Sequence, residues 1–244
     1  MTIDRNPSLT EQVMAHLKDR IRRGGFPEGR IPPETELAAD LGVSRTTVRD
    51  ALSRLEHEGV VVRRQGSGTY VNRPVLQVKS RLEEIWSYEQ MLLDHGYTPS
   101  VRVLTVEPGT ATDDDAEALE IAPGADLLVI EKLFIEDDRP AVLTHNRIPA
   151  CLVDGTPSAT QGRAPIYEFL EDRCGRRLAY YLSDIVPVAL EGRVAEALDA
   201  PPGTPALCFE ETGYDTAGSP IVKASSWFRD DLVRFRLMRR KSGG

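Results

Sequence analysis

Between residues 45 and 58 the apolar side chains Val48, Ala51, Leu52 and Leu55 recur at i, i+3, i+4 and i+7, the period of one buried helix face. Winding at about 100° per residue puts Thr46, Arg49, Asp50, Ser53 and His57 on the opposite side, with Arg45 projecting from the first turn. Two arginines and two threonines opposite an apolar stripe answer no packing need. A guanidinium can grip guanine O6 and N7 through two parallel bonds, each such pair contributing about 1 to 3 kcal/mol of discrimination, so the chemistry on offer is the reading of base edges. Thr47 lies at the stripe's edge and divides between core and contact, while Ser44 is placed to cap the helix. Arg20, Arg22 and Arg54 read as solvated helix charges.

The elements that must position this face are legible on both sides of it. Ser8-Leu9-Thr10-Glu11 has capping-box spacing ahead of Val13, Leu17 and Ile21, and the helix so begun is expected to end near Gly24-Gly25. An irregular stretch rich in Pro and Gly follows. Residues 34–41 (ETELAADL) read as a short helix closed by Gly42, and the Gly42-Val43-Ser44 turn joins it to the helix just described. Two helices so joined, the second polar at its start, suit a major groove about 12 Å wide. Residues 60–71 form two β-prone runs around a Gly66-Ser67-Gly68 tip, a hairpin with a basic shoulder at Arg63 and Arg64.

The run RIPPETELAADLGVSRTTVRDALSRLEHEGVVVRRQGSGTYV resembles the winged helix-turn-helix of the GntR family of bacterial transcriptional regulators, with VSRTTVR, the Leu-x-x-Glu-Gly segment and the Gln-Gly-x-Gly-Thr wing in order. The resemblance implies operator contacts from Glu34, Thr35, Ser44, Arg45, Thr46, Thr47 and Arg49, and from Gln65 and Gly66 of the wing. Members usually carry Ser-Glu-Arg before the second helix where this chain has Pro33-Glu34-Thr35, so the contact of that arginine is missing here.

At 244 residues the chain is long enough for two domains. Residues 1–75 carry 12 basic and 10 acidic side chains, net +2, and residues 76–244 carry 18 and 28, net −10; only the first part tolerates a polyanion nearby. Cys151, Cys174 and Cys208 are odd in number and widely spaced, with no Cys-x-x-Cys, and signal neither a disulfide framework nor a zinc site. Residues 1–7 lack the apolar stretch of a signal peptide, and no segment nears the roughly 18 apolar residues of a membrane span. The expectation is a cytoplasmic protein with no membrane partner, no metal and no cofactor, nucleoid-associated when bound to DNA.

Residues 74–80 are expected to link a head, 1–73, to a second domain, 81–244; the stretch 72–80 holds Pro74 and no helical period. Residues 81–95 read as a helix ending at Gly96, after which short strands and short helices alternate, an α+β pattern. An internal repeat organises them. Ala116-Glu117-Ala118-Leu119, Pro123-Gly124, Leu128, Glu131 and Pro140 recur as Ala195-Glu196-Ala197-Leu198, Pro202-Gly203, Leu207, Glu210 and Pro220, at an offset of 79 that becomes 80 inside the turn. Two copies suggest a pseudo-symmetric pair of hairpins sharing one sheet, with a ligand cleft between the halves. Glu131 and Glu210, matched by the repeat, read as solvent-facing rather than as a catalytic pair.

From about residue 81 to 236 the chain resembles the UTRA effector domain of the HutC branch, whose fold is like that of chorismate lyase, on the hairpin around Asp138-Arg139-Pro140, on Pro165-Ile166-Tyr167-Glu168-Phe169-Leu170 and on Gly218-Ser219-Pro220. The resemblance implies a homodimer on an inverted repeat of double-stranded operator DNA, expected to repress, whose DNA affinity responds to a small-molecule effector. Phosphosugar-responsive relatives place two arginines at Lys132 and Phe134, an acid at Thr144, a serine at Pro165 and a tyrosine at Phe228. One lysine and one phenylalanine in place of two arginines point away from a phosphorylated effector, toward one with at most one anionic group and appreciable apolar surface. The pocket candidates are Lys132, Phe134, Thr144, Asn146, Tyr167, Lys223, Ser225 and Phe228. The rival reading, a lyase-like enzyme with a DNA-binding head, finds no catalytic residues: His95 and His145 lack a spaced nucleophile, Ser67 sits in the wing, and no glycine-rich phosphate loop occurs. The basic segment 234–241 reads as a solvated tail.

Overall fold

A computed structural model of the chain describes residues 7–74, 82, 85, 87–94, 96–229, 231–233 and 235. The chain divides into two compact units, the first represented by residues 7–74 and the second by residues between 82 and 235. Of the tail 234–241 only Phe235 is among the described residues, where it packs against Phe209 and Phe228 rather than lying solvated, and most of the linker falls outside them.

In the first unit, α1 (Leu9–Arg22) opens on the expected capping box: Ser8 Oγ accepts from the Glu11 amide at 3.2 Å and the Glu11 carboxylate accepts from the Ser8 amide at 2.7 Å. Helix α2 (Glu34–Leu41) ends on Gly42, left-handed at φ 65°, where a side chain would be strained. Ser44 then caps α3 (Arg45–His57), accepting from the Thr47 amide at 3.1 Å. Val13, Leu17 and Ile21 of α1 meet Leu37 of α2 and the full predicted stripe of α3, Val48, Ala51, Leu52 and Leu55, in one apolar core. The hairpin pairs β2 (Val61–Arg64) with β3 (Gly68–Val71) across a Gln65-Gly66-Ser67 turn whose Gly66 has φ 73°. The irregular stretch after α1 is more ordered than its composition suggests. It holds a 3₁₀ turn at Pro27–Gly29 and a two-residue strand, β1 (Arg30–Ile31), which pairs Arg30 with Tyr70 and Ile31 with Thr69. Asn72 is fastened to this unit, its side-chain amide donating to the Gly59 carbonyl at 2.9 Å.

In the second unit the helix expected over 81–95 is shorter: α4 covers Tyr88–Asp94, with Leu82, Ile85 and Ser87 non-helical and residues 81, 83, 84, 86 and 95 outside the described set. The strands are long rather than short. They form one antiparallel sheet in the order β4-β5-β6-β9-β8-β7, built from β4 (Pro99–Thr110), β5 (Asp126–Glu136), β6 (Arg139–Pro149), β7 (Leu178–Ala189), β8 (Pro205–Asp215) and β9 (Pro220–Arg229). Helices α5 (Asp113–Leu119) and α8 (Gly192–Ala197) follow the two edge strands, and α6 (Ala159–Gly162) and α7 (Ile166–Cys174) lie in the connection between halves.

The repeat is therefore architectural. The offset of 79 carries β4 onto β7 and β5 onto β8, end to end. Each half is a three-stranded meander, and the halves meet where β6 pairs with β9. The offset of 80 that carries Pro140 to Pro220 carries His145 to Ser225, and those two residues are cross-strand partners. The pseudo-two-fold axis passes between them.

Candidate functional sites

In the first unit the structure exposes most of the sequence-selected residues. Arg45, Thr46 and Arg49 of α3 and Gln65 and Gly66 of the wing are exposed, while Thr47 is half-buried and bonded to the Ser44 hydroxyl at 2.8 Å. Ser44 and Thr47 thus serve the helix start. Neither the Arg45 nor the Arg49 guanidinium has a hydrogen-bond or ion-pair partner among the described residues, which leaves both free to meet an outside acceptor. Thr46, Thr47, Arg49, Asp50, Ser53, Thr10 and Arg63 line a shallow hollow beside α3. Arg63 ties three elements together, reaching Glu34 of α2 at 3.8 Å and Glu56 of α3 at 3.3 Å. The family resemblance assigns Glu34 to DNA, whereas in the fold it is a partner of Arg63 from the hairpin's basic shoulder. Arg64 stacks over the Tyr70 ring at 4.6 Å, and the Ser67 and Tyr70 hydroxyls bond at 2.7 Å, stiffening the wing. Thr35 is exposed at the start of α2.

In the second unit a cavity of about 600 Å³ opens on one face of the sheet. Its floor is β5, β6, β9, β8 and β7, and it is walled by Leu82, Ile85, Ser87, Tyr88 and Glu89 and by residues between Arg163 and Tyr167. Five predicted residues line it: Lys132, Phe134, Thr144, Asn146 and Tyr167. Three do not. Lys223 and Ser225 alternate to the opposite face of β9, where Lys223 pairs with Asp114 and lies 3.4 Å from Asp115, and Ser225 accepts from Arg147 at 2.8 Å. Phe228 shares the cavity's face but is packed away, 1% exposed, among Tyr88, Phe209 and Phe235. Glu131 also departs from expectation: it is buried and paired with Arg193, while its repeat partner Glu210 is exposed.

Burial sets the electrostatics of the cavity. Lys132 is 3% exposed and donates to the Ala164 carbonyl at 2.7 Å; desolvation pushes its ammonium down to about 8, opposed in part by the Glu89 carboxylate. Desolvation raises the Glu211 carboxyl, with Ser183 Oγ donating to it at 2.5 Å as the offsetting contact. Tyr88 donates to Ser226 Oγ at 2.8 Å, and its ring stands edge-on to Phe134. The floor thus combines one lysine, one carboxylate, hydroxyl and amide groups, and aromatic surface, the mix of a small-molecule site. Of the residues that sequence reading missed, Glu211 and Ser226 had a signal: they are the repeat partners of Lys132, at 79, and of Asn146, at 80. Arg163, Tyr181 and Ser183 had none. No group of three or more His, Cys, Asp or Glu side chains placed to hold a metal occurs among the described residues.

Residues 9–71 match the family model for bacterial regulatory proteins of the gntR family, and residues 94–234 match the UTRA domain. The chain is 32% identical over 238 residues to the HTH-type transcriptional regulator Rv0792c of Mycobacterium tuberculosis, covering 96% of this chain and 85% of that one. It is 28% identical over 225 residues to the HTH-type transcriptional repressor NagR of Bacillus subtilis, with 92% and 91% covered. Among solved structures, the possible transcriptional regulator YydK of Bacillus subtilis superposes with a TM-score of 0.74, covering 96% of this chain and 100% of that chain at 17% identity, a likeness of fold.

Proposed function

This chain belongs to the gntR family of bacterial regulatory proteins, with a UTRA domain after its winged helix-turn-helix, and from that premise we propose that it works as a homodimeric repressor on an inverted-repeat operator. As a family member it is a DNA-binding transcriptional regulator that answers to a small-molecule effector, and not an enzyme. Arg45, Thr46 and Arg49 would read base edges in the major groove, and Gln65 and Gly66 would approach the backbone from the wing. Ser44 and Thr47 hold the start of α3 in register for them. One helix-turn-helix reads one half-site, and a two-fold dimer reads two, about 34 Å or a multiple of that apart.

The effector occupies the cavity over Lys132, Phe134, Thr144, Asn146 and Tyr167. With Lys132 as the buried cation of its floor, the site suits a metabolite with at most one anionic group and appreciable apolar surface, rather than a phosphosugar. Regulation then needs the effector to bind the DNA-competent and incompetent states unequally; a coupling of about 1 to 3 kcal/mol changes operator affinity roughly 5- to 150-fold.

The observation that carries this reading is the unpartnered pair Arg45 and Arg49 on the exposed side of a helix whose other side is fully buried. Nuclease footprinting of the purified protein tests it. Two protected half-sites related by a dyad are expected; uniform coverage of any sequence would overturn it.

A further inference from the structure

Two rows of four cross-strand positions run along the cavity's face of the sheet, seven of them lining the cavity and the eighth, Ile130, fully buried in the core, and the pseudo-dyad turns one row into the other. Along the first row Lys132 pairs with Thr144, Thr144 with Ser226, and Ser226 with Phe209. Along the second, Glu211 pairs with Ala224, Ala224 with Asn146, and Asn146 with Ile130. The repeat offsets carry Lys132 to Glu211, Thr144 to Ala224, Asn146 to Ser226 and Ile130 to Phe209. Symmetry-related positions thus hold opposite charges at one diagonal, Lys132 and Glu211, and apolar side chains at the other, Ile130 and Phe209. The charged positions are three strands and one two-residue step apart, roughly 16 Å at the backbone, with both side chains on the cavity's face.

The surroundings of the two charges differ. Lys132 is held by the Ala164 carbonyl and has the Glu89 carboxylate near enough to act on its charge. Among the described residues, those around Glu211 are neutral hydroxyls: Ser183 donates to it, and Tyr88 and Tyr181 lie close enough to feel its charge. No lysine or arginine pairs with Glu211 among the described residues. Desolvation favours the protonated form of the Glu211 carboxyl, and a cation brought by a ligand would restore the carboxylate and pair with it.

Resting on the reading of this cavity as the effector site, we infer that the effector is a zwitterion, with a protonated amine against Glu211 and a single carboxylate toward Lys132. The small central side chains, Thr144, Ala224, Asn146 and Ser226, leave room for the body that joins the two ends. Phe134 and Phe209 supply its apolar contacts.

Thermal shift and calorimetry on the full chain test this with matched triads: 6-aminohexanoate, hexanoate and hexylamine; L-phenylalanine, 3-phenylpropanoate and phenethylamine; and the remaining standard amino acids beside their deaminated acids. The zwitterion of at least one triad is expected to raise Tm, and its two singly charged analogues to bind at least tenfold more weakly, the scale of one lost charge-assisted bond. Glu211→Gln, which keeps an acceptor for Ser183, is expected to erase the preference for the zwitterion over its deaminated acid. The comparison within each triad on the unaltered protein needs no variant to fold. Tightest binding by an acid without basic nitrogen, no shift from any amine in the panel, or an unchanged preference in Glu211→Gln overturns the inference. Failure of the wider reading looks different: a compound that binds in the cavity and leaves operator affinity unchanged.

Discussion

The two sites place their chemistry by opposite means. The first unit carries it outward on a single helix, where Arg45 and Arg49 stay exposed and unpartnered and every structural demand is met by residues behind them. The second unit encloses it over five strands, where Lys132 is desolvated and bonded and Thr144 and Asn146 are buried. An exposed guanidinium loses little by waiting for its ligand, whereas each buried polar group must be satisfied inside the fold as well as by the ligand. Substitutions should therefore act on function alone in the head and on function and stability together in the cavity.

The largest effect separates core from cavity within one sheet face. Phe228→Ala is expected to cost about 3 to 5 kcal/mol of stability, since the ring is 1% exposed and packed on three aromatic neighbours. Urea denaturation followed by tryptophan fluorescence measures it; a loss below about 1 kcal/mol would return Phe228 to the cavity wall. Next comes the head. Arg49→Ala is expected to lower the preference for operator over random DNA about ten- to hundredfold while the denaturation midpoint stays put. A shift in the midpoint, with the preference intact, would reverse the contrast between the sites.

The contrast also explains what could be seen in the sequence. Helix faces are local: the Val48, Ala51, Leu52 and Leu55 spacing names the buried side and thereby the free one, so the head was legible down to its caps at Ser8 and Ser44. Strand β1 escaped because two residues carry no period and its pairing with β3 lies about forty residues away. A cavity on a sheet is non-local. Its first floor row joins positions 132, 144, 226 and 209, and only strand register relates them. Parity along β9 decides that Ser226 and Ala224 line the floor while Ser225 and Lys223 turn away. Resemblance to relatives supplied the strand and missed the face by one residue. The repeat held the missing information, since Lys132 and Asn146 projected by 79 and 80 land on Glu211 and Ser226. It also shows where the halves diverge: Phe134 projects onto Gly213, where an added Cβ would lie 2.8 Å from the Tyr181 ring, so that tyrosine occupies the space of the missing side chain.

A smaller effect follows from the burial of Lys132. Its folded-state value, about 8, lies below the ordinary lysine value of 10.5, so between those limits the unfolded chain holds more protons than the folded one. Stability attributable to this group therefore rises with pH from about 8 to 10.5. Affinity for an anionic effector moves the other way, because the ammonium that attracts it is lost above about 8. Calorimetric titration of a binding carboxylate between pH 7 and 9.5 is expected to show weakening that sets in near 8 and continues above it, and Lys132→Met to bind weakly without that dependence. A flat profile in the unaltered protein would place the carboxylate elsewhere.

The smallest effect concerns a residue on which resemblance and geometry disagree. The family pattern assigns Glu34 to operator contact, but here its carboxylate faces Arg63 at 3.8 Å, and that arginine lines the hollow beside α3 with Thr46 and Arg49. The pair is half-exposed, so its loss is expected to change stability by no more than about 1 kcal/mol. If Glu34 restrains Arg63, Glu34→Gln frees part of a cation beside the DNA-facing helix. Affinity for random duplex should then rise a few-fold, and the salt dependence should steepen by up to about 0.9, the contribution of one added phosphate contact. If Glu34 instead accepts from a base, the same variant weakens operator binding and leaves the slope alone. Titrations at several salt concentrations distinguish the two, and the geometry favours the steeper slope because Glu56 alone, at 3.3 Å, still holds Arg63 at the mouth of the hollow.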